Sequence, residues 1–133
     1  MTLEEALYAH LSNVARFTGA IVGTRIYPQI IPQGVPRPAI AYQRVSRGER
    51  QLAHDGPIGF GRATIQITCQ GREYRDAKSL AQAVRKDLNG YKGLLGGAGG
   101  VAVGRCAIEN EIDGDAEFDA NTVRMDFSFL YEE

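Results

Sequence analysis

Ala63-Thr64-Ile65-Gln66-Ile67-Thr68-Cys69-Gln70 is the stretch from which the fold of this chain can be read. On an extended backbone Ala63, Ile65, Ile67 and Cys69 point one way, and Thr64, Gln66, Thr68 and Gln70 point the other. Strict two-residue alternation marks a strand in an antiparallel sheet with one buried and one wet face. The same pattern returns at 122–131, where Val123, Met125, Phe127, Phe129 and Tyr131 alternate with Arg124, Asp126, Ser128 and Leu130. Two such strands create an apolar face that other elements must cover.

Two helices are expected as the cover. In residues 72–89, Ala77, Leu80, Ala81, Val84 and Leu88 form an amphipathic stripe, and Asn89-Gly90 is a stop signal. At the N-terminus Thr2 and Glu5 have capping-box spacing, and Leu3, Ala6, Leu7, Leu11 and Val14 share a face until Gly19 ends the pattern. Residues 21–31 are β-branched and aromatic and read as extended. Pro28, Pro32, Pro36 and Pro38 confine that region to an edge or a loop. Residues 39–46 read as the next strand, and the glycine-rich 93–100 as a flexible turn. In 101–112 the inward set passes from Val101 and Val103 to Cys106, Ile108 and Ile112, a change of parity that predicts a bulge at Gly104. The expected fold is a single α+β domain over residues 1–133. It is a mostly antiparallel five-stranded sheet with two helices packed on one face, in the order α-β-β-β-α-β-β.

Composition agrees with one globular domain: 133 residues, 44% hydrophobic and 23% charged, excluding disordered and fibrous classes. No apolar run approaches the ~20 residues of a membrane span, so no membrane partner is expected. Met1-Thr2-Leu3-Glu4-Glu5 lacks the pattern of a signal peptide, and Cys69 and Cys106 give no disulfide framework, so assembly in a reducing cytoplasm is expected. The net charge of −1 conceals a division. Residues 107–133 hold nine acids against Arg124, a net −8, while residues 1–106 carry fourteen bases and seven acids, a net +7. Such a split suits a solvated surface, and also head-to-tail self-association.

Chemistry-bearing patterns are few. The glycines of 96–100 fail the dinucleotide-loop spacing, since Ala102 stands three residues after Gly99. His10 and His54 lack a second ligand at metal spacing, and both cysteines fall on apolar faces as core packing. The run Asp113-Gly114-Asp115-Ala116-Glu117-Phe118-Asp119 resembles a calcium loop only in part. Its sixth position is Phe118 instead of glycine and its twelfth is Arg124 instead of glutamate, so it reads as an acidic hairpin connection. No metal, no cofactor and no catalytic residue is expected; the chain does not read as an enzyme. Interface residues are the remaining candidates. Arg44, Arg47 and Arg50 form a basic cluster, and the long segment 46–60 keeps Leu52 and Phe60 as apolar contacts on a projecting arm. Asp113, Asp115, Glu117 and Asp119 supply the opposite charge.

Several strings, taken in order, carry a resemblance. Leu3-Glu4-Glu5-Ala6-Leu7-Tyr8-Ala9-His10-Leu11, Val22-Gly23-Thr24-Arg25-Ile26-Tyr27-Pro28 and Pro38-Ala39-Ile40-Ala41-Tyr42-Gln43 open it. Ala63–Cys69 with Tyr74, Ala77, Leu80 and Ala81 follows, and Val123–Phe129 closes it. Across nearly its whole length the chain resembles the tail terminator (tail completion) proteins of long-tailed bacteriophages and gene transfer agents. The resemblance implies a homo-hexameric ring on the head-proximal end of the tail tube. Its partners would be the major tail tube protein, the head–tail connector (stopper) protein, and DNA passing through the lumen without sequence-specific binding. Six copies at −1 each give a ring of only −6, consistent with a lumen that does not grip phosphate. The alternatives are another neck component, such as a stopper or adaptor, and a small nucleic-acid-binding module.

Overall fold

The computed structural model describes residues 2–13, 15–32, 34–45, 60–97, 100–117 and 120–132, with backbone alone for 60, 113–117, 120 and 132. Among these residues three helices, α1 (Leu3–Leu11), α2 (Phe17–Val22) and α3 (Tyr74–Leu88), accompany six strands. The strands are β1 (Ile26–Pro28), β2 (Ala39–Arg44), β3 (Phe60–Gly71), β4 (Gly93–Leu95), β5 (Val101–Glu117) and β6 (Ala120–Glu132). They form one sheet in the order β1-β2-β3-β6-β5-β4, antiparallel throughout except for the β1–β2 pair.

The two alternating stretches pair with each other at the centre. Ile65 lies opposite Phe127, Ile67 opposite Met125 and Cys69 opposite Val123, so every apolar position falls on the same face. All six are fully buried, beneath Leu80, Val84 and Leu88 of α3 and Leu3, Leu7 and Leu11 of α1. The capping box is present: the Glu5 amide donates to the Thr2 hydroxyl at 3.1 Å, and the Glu5 carboxylate reaches back to the Thr2 amide. On the other face the segment around Ile31 and Val35 packs against Ala39 and Ala41, and the rest carries Gln43, Gln66, Thr68, Gln70 and Arg124. Burial pushes both thiols above their ordinary range, Cys106 to about 12, so neither is a ready nucleophile.

Several details of the expected architecture are corrected. Among the described residues the sheet has six strands and the helices number three. The first helix stops at Leu11, and a second short one begins at Phe17, so Ile21 and Val22 are helical and the strand is reduced to Ile26–Pro28. Gly19, expected to end a helix, lies inside α2. A β-carbon there would sit 2.0 Å from the Asn13 carbonyl oxygen, so this glycine lets α2 close against the preceding turn. Part of the glycine-rich turn is strand β4, whose Leu95 is fully buried opposite Val101.

The last two corrections concern β5. The bulge expected at Gly104 is present as a register shift between Val103 and Arg105, and a second one lies between Ile108 and Asn110. The second shift restores the original parity. Glu111, opposite Met125, therefore faces the helices, and Ile112, opposite Arg124, faces outward and is 54% exposed instead of buried. The acidic run is also paired backbone through Glu117, where a loop was expected, because pairing with β6 overrides its low strand propensity.

Leu80 is a direct test of this packing. Leu80→Ala should lower the unfolding free energy in urea by about 2–5 kcal/mol, the range for deleting a fully buried leucine. A loss below about 1 kcal/mol would contradict a helix seated on the sheet.

Candidate assembly surfaces

Those selected residues that the structure describes lie toward two ends of the sheet. Arg44 closes β2, and its Nε lies 2.9 Å from Glu4 Oε1 of α1. Its Nη2 donates to the Tyr131 hydroxyl at 3.2 Å, and its guanidinium stands 5.7 Å from the centre of that ring. Half-exposed, Arg44 ties α1 to β2 and β6 as well as offering charge at the surface. Phe60 begins β3, with its backbone opposite Glu132. Arg47, Arg50 and Leu52 lie outside the described residues, as does Asp119. Asp113, Asp115 and Glu117 fall on the outer part of β5, in the hairpin it makes with β6. Among the described candidates, Arg44 lies on β2 and Asp113, Asp115 and Glu117 on β5.

An inner network stabilises the helical layer. Asp87 is 5% exposed on the buried side of α3, and its carboxylate accepts from the Thr18 amide at 2.7 Å and the Phe17 amide at 3.3 Å. These amides open α2, whose own N-cap, Arg16, supplies no side-chain hydrogen bond. A carboxylate from another helix therefore satisfies the donors and complements the dipole of a six-residue helix. The Asp87 carbonyl in turn accepts from His10 Nε2 at 3.1 Å, which fixes the neutral ring with its proton on Nε2. His10 is buried and meets the Tyr91 ring edge-on, centroids 4.8 Å apart. The sequence signal for this network was Asp87 itself, an acid within the apolar stripe of α3.

On the outer side, the second bulge brings Glu111 to α3, where its carboxylate pairs with Arg85 and lies 3.6 Å from Lys78 Nζ. A groove about 440 Å³ in volume runs along the neighbouring flank between α2 and α3, with Phe17 and Ile21 in its wall and Arg16 and Lys86 at its edge. Among the described residues, no three His, Cys, Asp or Glu side chains converge as a metal site.

Among the described residues the fold is an α+β sheet covered by helices on one side. The sequence matches the model of the family described as tail completion protein gp17 over residues 5–132, and the chain belongs to that family. It is a structural protein of a phage-type tail, located in the tail or neck of the particle, and not an enzyme. Its fold is similar to that of a chain in "Virion of native gene transfer agent (GTA) particle", with a TM-score of 0.74 and 18% identity over 98% of this chain and 95% of the other. No curated protein matches the sequence.

The His10 contact predicts a pH dependence. Burial holds its imidazole below the ordinary 6.5, the hydrogen bond to Asp87 opposing this in part. Above that pH folded and unfolded chains are both neutral here, and the contribution of His10 is intact. As the pH falls below 6.5 toward the depressed folded value, the unfolded chain binds the proton first and stability is lost. His10→Gln keeps a donor and removes the titration. Its unfolding free energy should therefore change less between about pH 7 and pH 5 than that of the parent. Equal pH slopes for the two proteins would exclude His10 as a source.

Proposed function

We propose that the chain closes into a hexameric ring on the head-proximal end of a tail tube. The ring ends addition of tube subunits, presents the joining surface for the head–tail connector (stopper) protein, and lets DNA pass through its lumen. The observation that carries this reading is the family match spanning residues 5–132, nearly the whole chain. A similar fold within a gene transfer agent virion supports a role in a particle. The charge division supports it physically. Surfaces of opposite sign on different elements favour a heterologous contact, and such contacts make rings when the rotation closes. A subunit net charge of −1 fits a channel through which DNA moves without being gripped.

The arm 46–60 is assigned to contact with the tube or the neighbouring subunit, with Arg44, Arg47 and Arg50 meeting carboxylates and Leu52 and Phe60 burying apolar surface. Asp113, Asp115, Glu117 and Asp119 form the opposing acidic surface. Exposed charges of this kind steer and align partners more than they stabilise a subunit.

Arg47→Glu together with Arg50→Glu tests the assignment. The double variant should fold as the parent does, judged by circular dichroism and thermal unfolding, yet fail to cap growing tubes, so tails of irregular length appear in negative stain. Normal tail lengths and particle yield would reduce the arm to a connection.

A further inference from the structure

We propose that a pocket on the sheet face opposite the helices binds a short acidic peptide segment of a partner protein. The inference stands apart from the ring reading. The pocket, about 280 Å³ in volume, lies between the chain at 29–31 and the outward side chains of β2, β3 and β6. Its shape follows from the register. Ala41, Thr68 and Arg124 share one cross-strand row, which the short Ala41, packed against Ile31, keeps low. Gln43 and Gln66 face each other on one side of that row, and Gln70 faces Thr122 on the other. Gln29 holds a backbone φ of 66°, a left-handed conformation uncommon for glutamine, and its amide donates to the Tyr42 carbonyl at 2.8 Å. Beside it, Ile30 is left 75% exposed at the pocket.

Several polar groups of the pocket have no partner within the described chain. Thr122 is 3% exposed, yet its hydroxyl makes no hydrogen bond. Buried hydroxyls are normally paired, so one left open in a pocket wall points to a partner from outside. Among the described residues Arg124, Gln43 and Gln66 also make no side-chain hydrogen bond or ion pair, whereas Gln70 is held by Arg37 at 3.1 Å. These groups select the ligand. Glutamine side chains both donate and accept, as a peptide backbone requires. Arg124, the one cation among the described residues of the lining, suits one carboxylate in a charge-assisted pair. Ile30 offers a contact for an apolar side chain of the same segment. A nucleic-acid backbone fits worse. Its phosphates call for several cations, and it leaves the glutamine carbonyls and Ile30 without a counterpart.

NMR titration of the isotope-labelled chain tests this. The probes are blocked tetrapeptides with a glutamate among valine, leucine or threonine residues, the same peptides with glutamine in its place, a duplex oligonucleotide, and inorganic phosphate. The glutamate peptides should shift the amide signals of Gln29, Ile30, Thr68 and Arg124. The glutamine peptides should bind about tenfold more weakly, the loss of one charge-assisted hydrogen bond. Arg124 is exposed, so Arg124→Gln should leave the fold intact and make the two sets bind alike. Ile30→Ser should weaken both sets together. No shift at these residues, or equal binding of the two sets to the parent, would overturn the proposal. So would tighter binding of the duplex or of phosphate, which would make the pocket a phosphate site. Shifts of the same signals on concentrating the protein without peptide would seat a second copy there and overturn it as well.

Discussion

The antiparallel pairing of β3 with β6 is the constraint on which the rest of the molecule depends. Twelve positions from Phe60 to Gly71 run opposite Glu132 to Asn121 without a register shift, so alternation in one strand meets alternation in the other. A slip of one residue would turn Ile65, Ile67, Phe127 and Met125 to water and bring Gln66 and Asp126 under the helices. The uninterrupted register therefore sets which side α1 and α3 must cover. Irregularity is confined to β5, where each bulge re-aims side chains without disturbing the central pair.

The elements visible in the sequence were those whose stability is local and periodic. β3 and β6 announce themselves by parity, α3 by its stripe, α1 by its capping box, and the Gly104 bulge by a change of phase. What escaped depends on distant partners. Helix α2 has only six residues and no side-chain cap of its own; it is held by Asp87, about seventy positions away in sequence. Helices that short are marginal without tertiary support, so propensity favoured extended structure for Ile21 and Val22. Strand β4 is three residues among glycines and exists because Leu95 has a place in the core. The Glu109 bulge left no phase signature, because polar residues follow it and Ile112 alone suggested the wrong face.

The candidate site was legible as charge, not as geometry. The sequence divides into two oppositely charged parts, residues 1–106 and 107–133. Residue order did not reveal that Arg44 would be shared with Glu4 and Tyr131, or that Glu111 would fasten the hairpin to α3. Nor did it disclose the apolar groove of Phe17 and Ile21, which exists only because α2 forms. The absence of a catalytic pattern from the sequence accords with the family's structural role. His10, Cys69, Cys106 and Asp87 are used for packing and capping.

The proposed ring is countable where it would work. Cryo-electron microscopy of intact particles, with the neck reconstructed without imposed symmetry, measures that number directly. The account predicts six copies of this chain arranged around the tail axis, between the last tube ring and the connector. One or two copies at that position, or density for the chain only along the tube, would contradict it.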